Sequence, residues 1–130
     1  MVTVRSAKNK GRTFERDCEY SLQQKYSDCF MTHEKGYILE YDLKSDEGKF
    51  VVECKRLKGI SWNQAVNFFD KLFTVAPKDY LCYLFFKSNN QPCLVMQNIE
   101  GKYSIQSFEA VFGIPFLKHE STKKVVKVFG

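Results

Sequence analysis

The sequence lacks the cysteine and histidine spacings that are typical of structural metal sites. Its five cysteines are an odd number and none belongs to a C-x-x-C pair, so neither a disulfide framework nor a zinc site is indicated. The two histidines, His33 and His119, are far apart in the chain and neither has a ligand-spaced neighbour. These absences predict reduced thiols in the core of a cytoplasmic protein.

The sequence also lacks a long hydrophobic run. The longest apolar stretch, Tyr80 to Phe86, is far shorter than the roughly 20 residues of a membrane-spanning helix. No apolar segment follows a basic start, as it would in an export signal, and there is no repeat or low-complexity segment. We therefore expect a soluble protein that makes no membrane contact and whose 130 residues form a single domain.

Positive charge exceeds negative charge along the chain. The formal net charge is +5, which favours an acidic partner, and nucleic acid is the most common one. Residues 1–12 contain basic residues and no acid, which predicts a basic N-terminal arm that can contact phosphates. Residues 119–130 form a basic C-terminal tail, expected as a second arm or as an edge strand.

A β-hairpin between residues 38 and 54 organises the rest of the chain. Two runs of β-forming residues, 38–43 and 49–54, flank a polar, glycine-containing turn. Pairing the two strands brings Asp42 close to Glu53. Because strand side chains alternate, Glu53 and Lys55 project to one side of the strand. Phe50, Val52 and Cys54 project to the other side, into the core.

Two carboxylates and one ammonium group would then share a small space. Such carboxylates repel each other unless a cation lies between them, and oxygen ligands of this kind suit Mg²⁺ or Mn²⁺. No small-molecule cofactor is indicated. The alternative is a solvated strand end with a surface ion pair, because a Glu-x-Lys triplet is common by chance.

The remaining periodicities indicate an α/β fold. A helix capped by Thr13 and running to about Tyr26 has Glu15 at the border of its buried stripe. A second helix, from Trp62 to about residue 74, has a predicted apolar face of Trp62, Val66, Phe69 and Phe73. It is followed by the apolar run that ends at Phe86. Such a run is typical of a strand buried on both faces and reached by a crossover helix. Further predicted elements are a strand over 29–32, a strand over 93–97 and a short helix over 108–112 that ends at Gly113.

This order of elements resembles the PD-(D/E)xK nuclease superfamily, and within it the archaeal-type Holliday junction resolvases. The resemblance covers about residues 8–86, and its most specific segment is KGRTFER, residues 10–16. The Glu53-Cys54-Lys55 triplet and a helix carrying Gln64 also match the family pattern. The resemblance implies a restriction-endonuclease-like core with a central mixed β-sheet of about five strands flanked by helices.

The resemblance also implies roles for individual residues. Asp42 and Glu53 would bind Mg²⁺, with Mn²⁺ as a substitute, and Glu15 would be a supporting acid beside the metal. Lys55 would orient or activate the attacking water, and Gln64 would help to hold the site. The residues expected to contact DNA are Lys10, Arg12, Arg16, Thr32, Arg56 and Lys58.

The implied activity is a metal-dependent endonuclease that resolves four-way DNA junctions by paired nicks. The alternatives are a restriction- or repair-type nuclease acting on another DNA substrate and a non-catalytic DNA-binding module. A junction is close to two-fold symmetric, so a homodimer is expected. Its surface would be apolar residues that one chain cannot bury, namely Phe68, Leu72, Phe85, Phe86 and the segment 108–116. Alternatively, the C-terminal segment folds back and covers them.

Overall fold

The structure, a computed structural model, describes residues 4–35 and 40–119, with the side chains of 11–33 and 40–119. Within these ranges the chain forms one sheet of six strands and three α-helices. The helices are α1 (Val4–Gln23), α2 (Trp62–Val75) and α3 (Phe108–Phe112), and a short 3-10 helix covers Thr32–Lys35. The strands are β1 (Phe30–Met31), β2 (Leu43–Ser45), β3 (Phe50–Arg56), β4 (Leu81–Lys87), β5 (Leu94–Ile99) and β6 (Lys102–Ser107).

The strands are arranged in the sheet in their order along the chain. Only β3 and β4 pair in parallel, and α2 is the crossover between them. The other neighbouring pairs are antiparallel. The predicted α/β class and the mixed sheet are therefore confirmed, but the sheet has six strands instead of about five. β6 was missed because it is an edge strand whose residues alternate weakly between apolar and polar.

Two apolar layers enclose the sheet. On one face, α1 and α3 cover Phe50, Val52 and Cys54 of β3 together with the inward residues of β4 and β5. On the other face, α2 covers Val51 and the alternate residues of β4 and β5. Residues 82–86 of β4 are all buried, as predicted for a strand covered on both sides. All five cysteines are free and buried, which agrees with the predicted core thiols.

The first helix begins earlier than predicted. It starts at Val4 and not at Thr13, so residues 4–12, predicted as an arm, continue the helix. Most of these residues are good helix formers, and a single glycine, Gly11, costs only about 1 kcal/mol within a helix. Residues 1–3 of the predicted arm and residues 120–130 of the predicted C-terminal tail lie outside the described residues.

The hairpin is shifted towards the turn. Residues 38 and 39, the start of the predicted first strand, lie outside the described residues, and β2 begins at Leu43. The turn is tied to the segment between α1 and β1: the Asp28 carboxylate accepts hydrogen bonds from Ser45 Oγ at 2.7 Å and from the backbone N–H groups of Asp46 and Glu47 at 2.8 and 2.9 Å. A side chain at Gly48 would collide with Phe50, because its Cβ would lie 2.5 Å from the ring.

The aromatic residues expected at a dimer surface are mostly inside one chain. Leu72, Phe85, Phe86, Phe108 and Phe112 are buried. The C-terminal segment folds back onto α1, where Leu117 N–H donates to Ser21 Oγ and His119 N–H donates to Asp17 Oδ1, both at 2.8 Å. The alternative prediction, in which the C-terminal segment covers these residues, therefore holds for Phe108 and Phe112, against which Phe116 packs. It does not hold for Leu72 and Phe86, which lie in the layer between α2 and the sheet.

The buried face of α2 also differs from the prediction. Ala65, Phe69 and Leu72 point inward, whereas Trp62 is 51% exposed and Phe73 is 68% exposed. The helix is rotated relative to the predicted apolar stripe because that stripe was drawn through its largest residues. Among the described residues, no helix is both long enough and apolar enough to cross a membrane.

The Asp28 contacts predict a pH-dependent contribution to stability. Partial burial raises the pKa of Asp28, but the hydrogen bonds from Ser45, Glu47 and Asp46 outweigh it and the net pKa is lowered. A lowered folded-state pKa stabilises the fold above the unfolded-state pKa, and this contribution disappears as the pH falls through the folded-state pKa. Asp28→Asn should lower the free energy of unfolding by about 1 kcal/mol at pH 7 and by less at pH 3. Urea denaturation at the two pH values measures this, with Glu47→Gln as control. An equal loss at both would contradict it.

Candidate active site

Asp42 is fixed by the backbone of the strands on either side of it. Its N–H donates to Val52 O on β3 at 2.9 Å, and its carbonyl accepts from Thr32 N–H, also at 2.9 Å. Its side chain turns toward β3, where Oδ2 accepts a hydrogen bond from Cys54 N–H at 2.8 Å. The predicted approach of Asp42 to the Glu53 segment is therefore confirmed, although Asp42 immediately precedes β2 instead of ending a strand.

Glu53 lies beside Asp42 and is unusually hard to ionise. Burial, the hydrogen bond to the Asp42 carboxylate and the charge of that carboxylate together raise the pKa of Glu53 to about 9, and Lys55 lowers it only in part. At neutral pH, Glu53 thus holds a proton that it shares with Asp42. A third carboxylate, Glu15 on α1, adds a smaller repulsion in the same direction.

Lys55 follows Glu53 by two residues and lies on the same face of β3, toward α2. Its Nζ lies over the Phe68 ring of α2, 4.6 Å from the ring centroid. An ammonium group over an aromatic face is attracted by the ring quadrupole, and this limits its mobility. The structure therefore brings Glu15, Asp42, Glu53 and Lys55 into one site.

His33 is a neighbour of this site that sequence reasoning did not include. Its Nδ1 lies 3.8 Å from Glu15 Oε2. The two residues come from α1 and from the 3-10 helix, and no spacing in the sequence connects them. Only the folding of the segment after β1 back against α1 brings them together, so no local signal could have identified His33.

Arg12, Arg16 and His33 surround a small cavity next to Glu15. The cavity has a volume of about 220 Å³, and Met31 is its fourth lining residue. Arg12 and Arg16 are four residues apart on α1 and so lie on the same side of the helix. Lys10 belongs to the same helix, but its side chain lies outside the described residues.

Thr32 and Gln64 have structural contacts near the site. Thr32 is 2% exposed and its Oγ1 donates to Tyr41 O at 2.6 Å, so the hydroxyl orders the backbone just before Asp42. Gln64 is exposed and caps α2: its Oε1 accepts from Ser61 N–H at 2.9 Å, and its own N–H donates to Ser61 Oγ at 3.1 Å. Gln64 therefore stabilises the first turn of the helix that carries Phe68.

Arg56 and Lys58 follow the site along the chain. The Arg56 guanidinium donates to Lys87 O at 3.3 Å and to Asn89 Oδ1 at 2.5 Å, which connects the end of β3 to the turn after β4. Lys58 is exposed in the loop before α2. Both cations are available at the rim of the site, where the carboxyl ends of the two parallel strands meet.

The carboxylates of Asp42 and Glu53 are the oxygen donors that the site offers to a divalent cation. In the described part of the chain, no group of three or more His, Cys, Asp or Glu residues is arranged to hold a metal ion. Two carboxylates that share a proton are, however, a set in which a cation can replace that proton. Mg²⁺ is commonly bound by one or two carboxylates, with waters and phosphate oxygens completing its shell. Asp42 and Glu53 fit this requirement.

Comparison of the chain with models of protein families, with curated proteins and with solved structures finds no match.

The shared proton predicts how stability depends on pH in the absence of metal. The folded-state pKa of Glu53, about 9, is above its unfolded value of 4.5, so the folded state loses stability as the pH rises from 4.5 toward 9. Glu53→Gln removes the buried acid and should raise the melting temperature at pH 8 by about 3–6 °C, the effect of roughly 1 kcal/mol in a domain of this size. At pH 5 the variant and the wild type should melt together. Differential scanning calorimetry in EDTA tests this, and a destabilised variant at pH 8 would contradict it.

Proposed function

We propose that this protein is a metal-dependent endodeoxyribonuclease with a restriction-endonuclease-like core, which resolves four-way DNA junctions by paired nicks in the cytoplasm. The observation that carries the proposal is the Asp42–Glu53 pair, which shares a proton at neutral pH beside Lys55. The order of elements supports it: a helix with Glu15, antiparallel strands with Asp42 and Glu53, a crossover helix and a parallel buried strand. This is the order on which the resemblance to the junction resolvases rests.

Asp42 and Glu53 would hold Mg²⁺, or Mn²⁺ in its place, and Glu15 would support them by its charge. The cation, when bound, neutralises the phosphate and lowers the pKa of a bound water. The chain itself prepares the cation site. The Cys54 N–H bond holds the Asp42 carboxylate in place. A positive charge between the acids would offset their mutual repulsion and so favour the release of the Glu53 proton.

Lys55 would act on the water and on the phosphate. Its ammonium group is held on the same face as Glu53 by the Phe68 ring, so it can orient a water molecule between itself and the carboxylates. Its charge also offsets the negative charge that develops on the phosphate oxygens. Gln64 would help to hold the site indirectly, through the first turn of α2.

DNA contacts would come from two groups of cations on either side of the acids. Arg12, Arg16 and His33 line the cavity beside Glu15, with Lys10 on the same helix, and they would bind a phosphate of the cut strand. Arg56 and Lys58 lie at the other side, beyond the end of β3. Thr32 would position Asp42 through the backbone and would contact DNA only if its hydroxyl were released.

Substitution of the paired acids tests the chemistry. Asp42→Asn and Glu53→Gln should each reduce Mg²⁺-dependent cleavage of a labelled four-way junction by at least about 1000-fold, because neither amide provides an anionic ligand. In the absence of metal, Glu53→Gln should bind the junction as tightly as wild type, because Glu53 already carries a proton at neutral pH. Asp42→Asn should bind it as tightly or more tightly, because the substitution removes a negative charge near the phosphate. Gel assays of cleavage and of metal-free binding measure the two effects.

The exposed acid Glu47 provides the control, and Glu47→Gln should cleave like wild type. A linear duplex, assayed with and without Mg²⁺, separates the alternatives. Equal cleavage of duplex and junction would indicate a restriction- or repair-type nuclease. Binding without metal-dependent cleavage would indicate a non-catalytic DNA-binding module and would reject the proposal.

The paired nicks further require two sites, and we propose a homodimer. Its surface is not the one predicted from the sequence. Phe73, Leu81 and Ile99 are among the exposed large apolar residues. All three line one groove of about 470 Å³, which lies between the C-terminal part of α2, the start of β4 and the end of β5. Exposed apolar side chains grouped in this way are typical of an interface, and a second copy of the chain would cover them.

A polar substitution in this groove should dissociate the dimer. Wild type should sediment at twice the chain mass of 15.2 kDa at micromolar concentration, and Phe73→Ser should sediment at the chain mass. Ile105→Ser makes the same kind of polar substitution at an exposed apolar residue outside the groove, and this variant should stay dimeric. Sedimentation equilibrium measures the three masses, and a wild-type monomer would reject the dimer.

A further inference from the structure

A second hollow lies just past the candidate active site. It has a volume of about 330 Å³ and is enclosed by the segment after β3, which includes Gly59 and Ile60, and by the turn between β4 and β5, which includes Ser88 and Gln91. Arg56 fixes these two walls to each other through its bonds to Lys87 O and Asn89 Oδ1. The hollow is therefore a built feature of the fold, and none of its walls belongs to the acid site.

The hollow is within reach of nucleotides next to a phosphate held at Glu53. Phe86, which lines it, is the register partner of Lys55 in the parallel pair of β3 and β4, so the two side chains lie on the same face of the sheet. Along β3, the end of the strand at Arg56 lies about 10 Å from Glu53 at 3.3 Å per residue. Stacked nucleotides rise about 3.4 Å each, so the hollow lies about two to three stacked nucleotides away.

The lining combines apolar walls with a polar edge. Ile60, Phe86 and Leu94 provide the walls, and the Ser88 hydroxyl and the exposed Gln91 carboxamide lie at the edge. A nucleobase has the matching chemistry, with two apolar faces and a rim of hydrogen-bond donors and acceptors. The volume is at the lower limit of ordinary ligand pockets, which suits a single base and not a base pair.

The charges around the hollow favour a polyanion. Lys87 is one of the residues that line the hollow, and among the described residues no acid lines it. Arg56 and Lys58 are the sequence neighbours of Leu57, another lining residue. An apolar hollow bordered by three cations fits a base whose own backbone phosphates are bound at the rim. A purely apolar ligand would use the apolar walls but not the cations. An acidic peptide segment would use the cations but not the apolar walls.

We propose that this hollow, the base pocket, binds one unstacked nucleobase of the DNA within about three nucleotides of the phosphate that is cut. The inference rests on the proposed nuclease function and adds the source of its structure selectivity. In a regular duplex every base is stacked and paired, and moving one into a pocket costs a few kcal/mol. At the centre of a four-way junction, the strands exchange partners and a base is released more easily, so the pocket favours junctions.

The test combines removal of the base with filling of the pocket. One abasic nucleotide, which keeps its phosphate, is placed in turn at each of the positions on both sides of the crossover, and binding to the full chain is measured without Mg²⁺. Wild type should lose about tenfold in affinity at one position, the effect of one stacked base. Gly59 lines the pocket, and a Cβ there would have no heavy atom within 4 Å. Gly59→Leu therefore adds apolar bulk at the pocket without a steric clash and is designed to obstruct it.

Gly59→Leu should bind the intact junction about tenfold more weakly than wild type. An abasic nucleotide at the position where wild type loses affinity should not weaken the binding of this variant any further. Ala110→Leu adds the same apolar bulk on the exposed side of α3 and should behave as wild type. Gln91→Ala, at an exposed residue whose loss leaves the core intact, should weaken only junctions that keep the base, whereas Gln106→Ala should not.

Two results would overturn the base pocket while leaving the nuclease proposal standing. One is junction cleavage by a wild type that tolerates an abasic nucleotide at every position. The other is a Gly59→Leu variant that keeps the full abasic loss, because the base would then be bound elsewhere. Failure of wild type to cleave any DNA with Mg²⁺ would instead reject the nuclease function, and the base pocket with it.

Discussion

The hydrogen bond from Cys54 N–H to Asp42 Oδ2, 2.8 Å long, is the interaction on which the candidate site depends. It ties a side chain that precedes β2 to the backbone of β3, between the two residues that would act with it. A backbone N–H cannot move without the strand, and β3 is paired on both sides in the sheet. The position of the Asp42 carboxylate is therefore set by the most rigid part of the molecule, which is what a preorganised site requires.

The same geometry explains why the site is costly to the metal-free fold. Glu53 is held where burial and Asp42 oppose its ionisation, and a stable fold would gain by replacing it with a neutral residue. Its immediate neighbour in sequence, Cys54, faces the core on the other side of the strand. Burial raises the pKa of that thiol to about 12, so it stays neutral there. Alternation along β3 thus separates a reactive face from a packing face.

The sequence predicted the elements with strong periodicity and missed those that depend on tertiary contacts. The ends of α2 and α3 were predictable because Ser61 and Gly113 are good caps. The buried strand β4 was predictable because apolar residues fill both its faces. The His33–Glu15 contact was not predictable, since it joins residues distant in sequence. The edge strand β6 alternates too weakly to be recognised, and Gly11 interrupts the helix formers of residues 4–12 that begin α1. The prediction of which side of α2 is buried was wrong, because the size of its residues does not determine which side packs against the sheet.

The positions of the three candidate surfaces make their roles separable. The acids, the two cation groups and the base pocket lie toward the end of β3 and beyond it, whereas the apolar groove lies at the start of β4 and the end of β5. Because β3 and β4 are parallel, these are opposite ends of the sheet, about 20 Å apart over the seven residues of β4. Association through the groove would leave the acids of both copies accessible to DNA. Dimerisation and phosphate chemistry then share no side chain, so a defect in one does not imply a defect in the other.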